Sequence, residues 1–219
     1  MGKPDIIYED NDIIVCYKPA GIATQTRRIG QQDMESFIRN YRAAKNEPPY
    51  VGIVHRLDQP VEGVMVFAKN QKAAASLSRQ IKEHTTEKYY RAASRGHGVS
   101  GADKKEDNHD PAWHTLTDYI SFDKRTNTSK ITSEKDRQAK KAVLQYRILS
   151  NECNKTKFDI KLLTGRHHQI RLQLANIGYP LIGDTKYGGE TAREQLALCS
   201  YKLVFDHPAT GERMTFELP

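Results

Sequence analysis

The sequence VGIVHRLD at residues 51–58, followed by GVMVFA at residues 63–68, places an imidazole, a guanidinium and a carboxylate between two apolar runs. Short continuous apolar runs are typical of strands inside a sheet. Polar groups between such strands cost stability unless they find partners, and active sites are one place where that cost is tolerated. Two interpretations stay open here: a turn with a local ion pair, or a catalytic carboxylate at Asp58.

The rest of the chain predicts more strands than helices, without the regular alternation of a parallel α/β fold. Apolar residues at helical spacing behind a capping Asp33 or Asn70 predict helices, and residues 96–111 predict a surface loop because they lack periodicity. The predicted fold class is α+β with a largely antiparallel sheet. The predicted strands cover residues 13–17, 63–68, 88–93, 157–163, 201–205 and 214–218, and the predicted helices cover 34–41, 70–83 and 169–177.

Composition narrows the class of protein. The 219 residues fit one domain, and the net charge of +7 makes phosphate-bearing partners plausible. No apolar run approaches the roughly 20 residues needed to span a bilayer, so we expect no membrane partner. The 3 cysteines are scattered, which excludes a disulfide framework and fits a reducing cytoplasm.

The most basic stretch covers residues 123–141. Its cations are Lys124, Arg125, Lys130, Lys135, Arg137, Lys140 and Lys141, against the carboxylates of Asp123, Glu134 and Asp136. A phosphate-binding surface and an ordinary solvated surface both fit this composition.

The adjacent His167 and His168, within GRHHQIR at residues 165–171, raise the question of a metal site. Neighbouring residues on a helix point about 100° apart and rarely share one ion. No second His or Cys pair completes a ligand set. We therefore expect no metal.

Several motifs follow one another along nearly the whole chain. They are IYEDNDIIV at 7–15 with KPAG at 18–21, HRLD at 55–58 with GVMVFAK at 63–69, KYYRA at 88–92, and GRHHQIR at 165–171 continuing to GYPLIGD at 178–184. Together they resemble the RluA-type pseudouridine synthases. The resemblance implies the pseudouridine synthase fold, a mixed, largely antiparallel sheet flanked by helices and loops, with a central basic cleft. It also implies a single catalytic domain over residues 1–219. The match begins near residue 5, so we expect no N-terminal accessory RNA-binding domain.

The resemblance implies an isomerase that converts specific uridines of ribosomal or transfer RNA to pseudouridine, without cofactor or metal. Asp58 matches the family's essential aspartate, which attacks the sugar or assists glycal formation, and either role needs an ionised carboxylate. Arg171 matches the arginine that pairs with this aspartate. Tyr90 matches the tyrosine that stacks on the uracil and helps to remove the proton at carbon 5. We expect the three residues to converge in one cleft.

A uridine inside a stacked stem must be flipped out before it can react. Arg56 matches an arginine that fills the vacated space in some members, although a phosphate contact or a structural ion pair fits as well. We assign His55, Arg166, His168 and Gln169 to RNA binding by the same resemblance, with His168 and Gln169 organising the start of the helix. The expected protein is a cytoplasmic monomer whose partner is RNA.

The sequence departs from the family pattern near the aspartate. Val61 and Glu62 stand where the family carries Thr-Ser or Thr-Thr, and an inward-pointing Glu62 would raise the pKa of Asp58. His167 replaces a Thr or Ser, which removes a helix cap. Two alternatives therefore accompany the enzyme hypothesis: a non-catalytic RNA-binding protein on the same scaffold, and a carboxylate-dependent hydrolase of small phosphorylated molecules.

Overall fold

A computed structural model describes residues 4–26, 28, 30–95, 110–152, 155–188 and 194–219. The chain divides into two compact units. The first unit contains residues 1–87 and 200–219, and the second contains residues 88–199. Within the described residues, neither unit has a helix long and apolar enough to cross a membrane.

The first unit combines short strands with two helices. Strands β1, β2, β4 and β10 follow one another in the sheet, β3 pairs with β4, and β11 pairs with β10. The β1–β2, β2–β4, β3–β4 and β10–β11 pairs are antiparallel. The elements are β1 (Asp5–Glu9), β2 (Ile13–Lys18), α1 (Met34–Ala44), β3 (Gly52–Ile53), β4 (Glu62–Ala68), α2 (Gln71–Lys82), most of β10 (Leu198–Asp206), and β11 (Arg213–Glu217).

Strands β2 and β4 are buried on both faces. Val15 lies opposite Val66 in the core cluster that also contains Leu77 of α2. Ile14 and Phe67, which pair on the opposite face, are also buried. Burial of both faces explains why these strands read as continuous apolar runs rather than as alternating patterns.

Side-chain caps and one close approach fix the ends of these elements. The predicted caps are confirmed, because Asp33 accepts from the Ser36 amide and Asn70 accepts from the Ala73 amide. Gly63 begins the apolar run of β4 with a φ of +139°, and a Cβ there would lie 2.3 Å from the carbonyl oxygen of Ser200. Only glycine fits this position without backbone movement.

The described part of the second unit contains five strands and one helix. Its strands are ordered β5–β9–β8–β6–β7, and each neighbouring pair is antiparallel. One face of the sheet buries Leu144, Phe158 and Ile160, and α3 contributes the buried Ile170 and Leu174. The elements are β5 (Glu87–Ser94), β6 (Asp110–Asp123), β7 (Thr128–Thr132), β8 (Lys140–Glu152), β9 (Lys155–Leu162) and α3 (Gln169–Asn176).

The α+β class and the largely antiparallel sheet are confirmed, but several details differ from the sequence-based prediction. The predicted loop at 96–111 is wrong at its end, since β6 begins at Asp110, and residues 96–109 lie outside the described part. Strands β1, β3, β6, β7 and β8 were not predicted. Asp159, on the face of β9 opposite the buried Phe158 and Ile160, is 4% exposed because Arg147 covers it with hydrogen bonds of 2.7 and 3.0 Å.

Candidate active site

The backbone on either side of Asp58 is clamped by the loop that follows β2. The Thr24 hydroxyl donates to the Leu57 carbonyl (2.9 Å) and accepts from the Leu57 amide (3.2 Å). The Gly21 amide donates to the Gln59 carbonyl (2.8 Å), and the Gln59 side chain returns a bond to the Gly21 carbonyl (3.0 Å). These four bonds fix the half-buried Asp58 through its two neighbours.

Lys18 reinforces this clamp from inside the protein. Its fully buried ammonium donates to the carbonyls of Ile22 (2.6 Å), Pro19 (3.1 Å) and Gln59 (3.2 Å). Burial lowers the pKa of Lys18 to about 8, although the negative charges of Asp58 and Glu62 act to raise it. Because that attraction is mutual, protonated Lys18 favours the anionic form of Asp58.

Glu62, the departure from the family pattern, has a hydrogen-bond partner. Its carboxylate accepts from the Tyr17 hydroxyl at 2.7 Å. Tyr17 and Glu62 lie on the paired strands β2 and β4, so the contact follows from strand pairing. The Glu62 carboxylate, which replaces a family hydroxyl residue, is thus paired with the Tyr17 hydroxyl, and its charge also interacts with that of Lys18.

The two residues before Leu57 have different surroundings. His55 Nε2 accepts a hydrogen bond from the Val66 amide at 3.1 Å, so the ring satisfies a backbone N–H group of β4. When the ring is neutral, its proton therefore lies on Nδ1. Arg56 is exposed and donates to the Gln25 side chain at 3.2 Å. Of this pair, Arg56 has the surroundings of a side chain able to meet RNA, and His55 has a structural contact.

In the second unit, Tyr90 and Tyr89 lie on opposite faces of β5. Tyr90 is 6% exposed and pairs with the buried Ile160. Tyr89 pairs with Lys161, whose ammonium lies 5.3 Å from the centre of the tyrosine ring. Tyr89 therefore points away from Tyr90.

Arg171 is 4% exposed and forms a two-point ion pair with Asp184, which is fully buried. Arg171 Nε donates to Asp184 Oδ2 (2.8 Å), and a terminal nitrogen donates to Oδ1 (2.6 Å). Asp184 Oδ1 also accepts from the amides of Lys186 (2.9 Å) and Tyr187 (3.1 Å). Burial acts to raise the pKa of Asp184, but the hydrogen bonds and charge of Arg171 hold it below its usual value.

Sequence reasoning did not assign a role to Asp184. The available signal was a carboxylate after Gly183 in an otherwise apolar turn, IGD at 182–184, and such a buried charge requires a cation. The sequence alone offers many cations, so only the fold could identify Arg171 as that partner.

His168 is a neutral, buried histidine at the start of α3. Its Nδ1 lies 2.9 Å from the Tyr187 hydroxyl, which itself accepts from the Ser129 amide (2.9 Å). Burial, with the positive charge of Arg171, lowers the pKa of His168 to about 3. With Tyr187 also 5.3 Å from the Arg171 guanidinium, His168, Tyr187, Asp184 and Arg171 form one connected group.

The expectation that His167 and His168 point apart is wrong. His168 precedes the helix with a left-handed φ of +53°, and the two rings stack with centroids 3.7 Å apart. Ser129 Oγ donates to the His167 carbonyl (2.9 Å), so His167 Nδ1 donates to that same oxygen (2.9 Å). Both Nδ1 atoms are thus committed to hydroxyl contacts.

The N-cap of α3 is His168, one residue after the position at which the sequence predicted a lost cap, and it forms no side-chain cap bond. Gln169 organises this turn instead, because its Oε1 accepts from the Arg166 amide and the Thr164 hydroxyl, both at 2.9 Å. Arg166 Nε donates to the Lys141 carbonyl at 2.9 Å. The prediction that His168 and Gln169 organise the helix start is consistent with these contacts.

The basic stretch at 123–141 forms the end of β6, β7 and the turns beside it. Its acids have local partners: Asp123 accepts from the Arg125 amide (2.8 Å), Asp136 accepts from the Gln138 amide (2.9 Å), and Glu134 accepts from Tyr119. Within the described residues, none of its cations forms a salt bridge. The stretch is a solvated surface with a positive excess.

One group of described side chains could converge on a metal: Asp10, Asp12 and His207, with ligand atoms within 4.8 Å of one another. His207 Nδ1 accepts from the Thr210 amide (3.1 Å), so its ring proton lies on Nε2 and donates to Asp10 Oδ2 (2.8 Å). Both ring nitrogens are therefore used in joining two turns of the first unit, and the cluster has a structural explanation.

The three residues carried over as catalytic are divided between the units. Asp58 belongs to the first unit, and Tyr90 and Arg171 belong to the second. Their convergence in one cleft stays a prediction. Each unit by itself shows how its own residues are held.

Comparisons with known proteins agree with these motifs. Residues 12–176 match the family model described as RNA pseudouridylate synthase. The chain is 33% identical to the RNA pseudouridine synthase YhcT of Bacillus subtilis, covering 100% of this chain and 69% of that protein. It is 33% identical to ribosomal large subunit pseudouridine synthase D of Vibrio cholerae, with 98% and 67% covered.

The solved structures agree in fold. Human RNA Pseudouridylate Synthase Domain Containing 4 aligns with a TM-score of 0.73 and 20% identity, covering 98% of this chain and 88% of that one. Human RNA Pseudouridylate Synthase Domain Containing 1 also gives 0.73, at 24% identity over 99% and 83%. From the family match and the identity over its whole length, the chain belongs to the RNA pseudouridylate synthase family, whose members are isomerases.

Proposed function

We propose that the protein isomerises uridine to pseudouridine in ribosomal RNA, with Asp58 as the carboxylate that acts on the sugar. The observation that carries this proposal is the clamp around Asp58: seven hydrogen bonds hold Leu57, Gln59 and the loop beside them, and so fix the backbone on both sides of the half-buried Asp58. Catalytic groups need such fixed geometry. Relatives in Vibrio cholerae and Pseudomonas aeruginosa that carry a ribosomal large-subunit name favour ribosomal over transfer RNA.

In this proposal the carboxylate of Asp58 either adds to the anomeric carbon or removes a proton from the sugar to give a glycal. The bond from nitrogen 1 of uracil to the sugar breaks, the base turns, and carbon 5 forms the new bond to the anomeric carbon. In the first route this bond displaces the Asp58 carboxylate from the sugar; in the second, the protonated Asp58 returns its proton to carbon 2 of the glycal. The proton on carbon 5 then leaves, and Tyr90 assists its removal. Nitrogen 1 gains a proton, so atoms balance without a cofactor.

Arg171 serves the same reaction as a fixed cation. Arginine remains protonated at any working pH, and Asp184 fixes the plane of the guanidinium. Arg56, exposed and next to Leu57, contacts the RNA, and Arg166, His55, His168 and Gln169 support its binding site. We propose a cytoplasmic monomer in which residues 1–219 act as one catalytic domain on RNA.

Tritium release from RNA labelled at carbon 5 of uracil tests the proposal. Asp58→Asn keeps the shape of the side chain and removes its charge, so we expect release to disappear while RNA affinity stays within a few-fold. Asp5→Asn, at an exposed carboxylate of β1, is the matched control and should release tritium at the wild-type rate.

Two results would contradict the proposal. Release by Asp58→Asn at the wild-type rate would remove Asp58 from the chemistry. Absence of release by the wild-type protein over a full set of cellular RNAs would favour the non-catalytic RNA-binding alternative. Mapping pseudouridines in cells that lack the protein would identify the modified uridine and decide between ribosomal and transfer RNA.

A further inference from the structure

The face of the second unit's sheet opposite Tyr90 is exposed, aromatic and basic. Strand pairing places Arg91 beside Asp159, Asp159 beside Arg147, and Tyr89 beside Lys161 on this face. Trp113 joins them from β6, with the Arg147 guanidinium 4.9 Å from its ring centre. We call this surface the Trp113 face; it consists of Tyr89, Arg91, Trp113, Arg147, Lys157 and Lys161.

We propose that the Trp113 face binds a single-stranded segment of the RNA substrate, on the side of β5 opposite Tyr90. The inference rests on RNA being the partner of this protein, and it adds a surface to which the motifs of the family assign nothing. A carboxylate-rich peptide is the competing occupant that the experiment must exclude.

Charge is the first argument. The face carries four cations, and strand pairing places the Asp159 carboxylate between them. A second carboxylate, Glu152 at the end of β8, lies on the same face opposite another cation, Lys155. Arg147 binds Asp159 through two nitrogens at 2.7 and 3.0 Å, which leaves Asp159 only 4% exposed. Arg91 and Lys157 are exposed on the neighbouring strands. A polyanion gains from such an excess because each neutralised phosphate releases counterions.

The aromatic rings are the second argument, and they favour RNA over an acidic peptide. Trp113 is 39% exposed, in a segment of β6 where the pairing with β8 shifts register. Lys161 and Arg147 lie over the Tyr89 and Trp113 rings, so cations and ring surfaces alternate across the sheet. Unpaired bases stack on such rings, and four-stranded sheet faces with exposed aromatics hold two or three bases.

The geometry also fits a flexible strand. Neighbouring strands lie about 4.8 Å apart, so β6, β8, β9 and β5 span roughly 14 Å. Thr115 and Gln145, which pair on the same face, supply hydrogen-bonding groups between the rings. This width suits a few stacked nucleotides and is too narrow for a duplex to lie along it.

The single tryptophan of the chain makes the test direct. A 12-nucleotide oligoadenylate contains no uridine and so cannot react. We expect it to quench Trp113 emission in the full-length protein, and we expect rising salt to reverse the quenching. Oligoglutamate of equal length supplies charge without bases and should leave the emission unchanged.

Variants measured by anisotropy of a labelled oligoadenylate complete the design. Trp113→Ala should weaken binding about 5- to 100-fold, the loss of one stacked base. Lys157→Gln should reduce the slope of log affinity against log salt by about 0.7, the value for one phosphate of a single strand. Lys72→Gln, at an exposed lysine of α2, changes net charge equally and should leave both quantities unchanged.

Three results would overturn the proposal: no quenching by oligoadenylate, equal quenching by oligoglutamate, or unchanged affinity in both face variants. Failure here remains distinct from failure of the proposed function. Wild-type protein that releases tritium but does not bind oligoadenylate would overturn the Trp113 face alone, whereas wild-type protein that binds oligoadenylate but releases no tritium would overturn the proposed function alone.

Discussion

Asp58 and Arg171 are both held in place, but by different kinds of contact. The first unit fixes Asp58 through hydrogen bonds to the backbone of its neighbours Leu57 and Gln59. The second unit fixes Arg171 through its own side chain, by a buried ion pair with Asp184. A clamp on the backbone positions Asp58 through its neighbours in the chain, whereas a clamp on the guanidinium holds a charge at a set position.

The largest expected effect comes from breaking the side-chain clamp. Asp184→Asn leaves the buried Arg171 charge without its carboxylate, and removal of one partner of a buried pair costs about 3–5 kcal/mol. Urea unfolding measures the loss. Glu194→Gln, which removes the exposed pair with Arg95, is the control in the same unit and should cost less than about 1 kcal/mol. Equal losses in the two variants would mean that the Asp184 contact has no special role.

Breaking the backbone clamp should destabilise the protein less than Asp184→Asn does. For each kcal/mol of unfolding free energy lost, however, it should reduce activity more. Thr24→Val keeps the shape and removes the hydroxyl that bonds both polar groups of Leu57. The expected loss is about 1–3 kcal/mol of unfolding free energy, with a fall in kcat for tritium release. Thr85→Val removes a weaker bond to the Gln80 carbonyl (3.3 Å), and a fall in kcat as large in this variant would show that the clamp does not position Asp58.

The two units should also respond to opposite ends of the pH range. His168, in the Arg171 group, has a pKa of about 3 against a usual 6.5. Between these values the unfolded chain binds the proton and the folded chain does not, so stability falls as pH falls from about 6.5 towards 3. Asparagine tolerates the left-handed backbone of residue 168. Between pH 7 and pH 5 we expect the unfolding free energy of His168→Asn to fall by on the order of 1–2 kcal/mol less than that of the wild type. Parallel pH profiles of wild type and variant would show that His168 titrates normally.

The smallest expected effect is that of Lys18 on stability, and it occurs at alkaline pH. Its pKa is about 8 when folded and 10.5 ordinarily. Between these values the unfolded chain binds more protons, so the Lys18 contribution to stability rises with pH. We expect wild type to gain about 1 kcal/mol over Lys18→Met between pH 7 and pH 9, measured by urea unfolding. No relative gain would mean that the buried ammonium keeps an ordinary affinity for its proton.

Prediction from the sequence was most accurate for features that a particular residue type stabilises by a local contact or backbone conformation, such as helix ends. Asp33 and Asn70 were predicted as caps because short polar side chains bond free helix amides, and Gly178 ended α3 with a φ of +84°. Strand β9 was predicted because apolar and polar residues alternate along residues 157–163. The long strands β6 and β8 escaped prediction because their exposed, charged residues mask the alternation.

The candidate site divides in the same way. The proposed catalytic residues Asp58, Tyr90 and Arg171 come from the motifs alone, since family resemblance carries residue identities from position to position. The structure added what holds them: Thr24, Lys18 and Asp184 lie far along the chain from the groups they hold, and many side chains of the same types occur elsewhere. The expectation that His167 and His168 point apart was wrong because His168 precedes the helix in a left-handed conformation, which no simple sequence pattern signals.

The sequence by itself determined the α+β class, the helix caps, the positive charge and the motif residues, because these depend on local chemistry and on order along the chain. Only the tertiary structure decided the partner of Arg171, the buried position of Lys18 and the exposed ring of Trp113. Those features depend on strand register, which brings distant residues together and decides which face of each strand meets water.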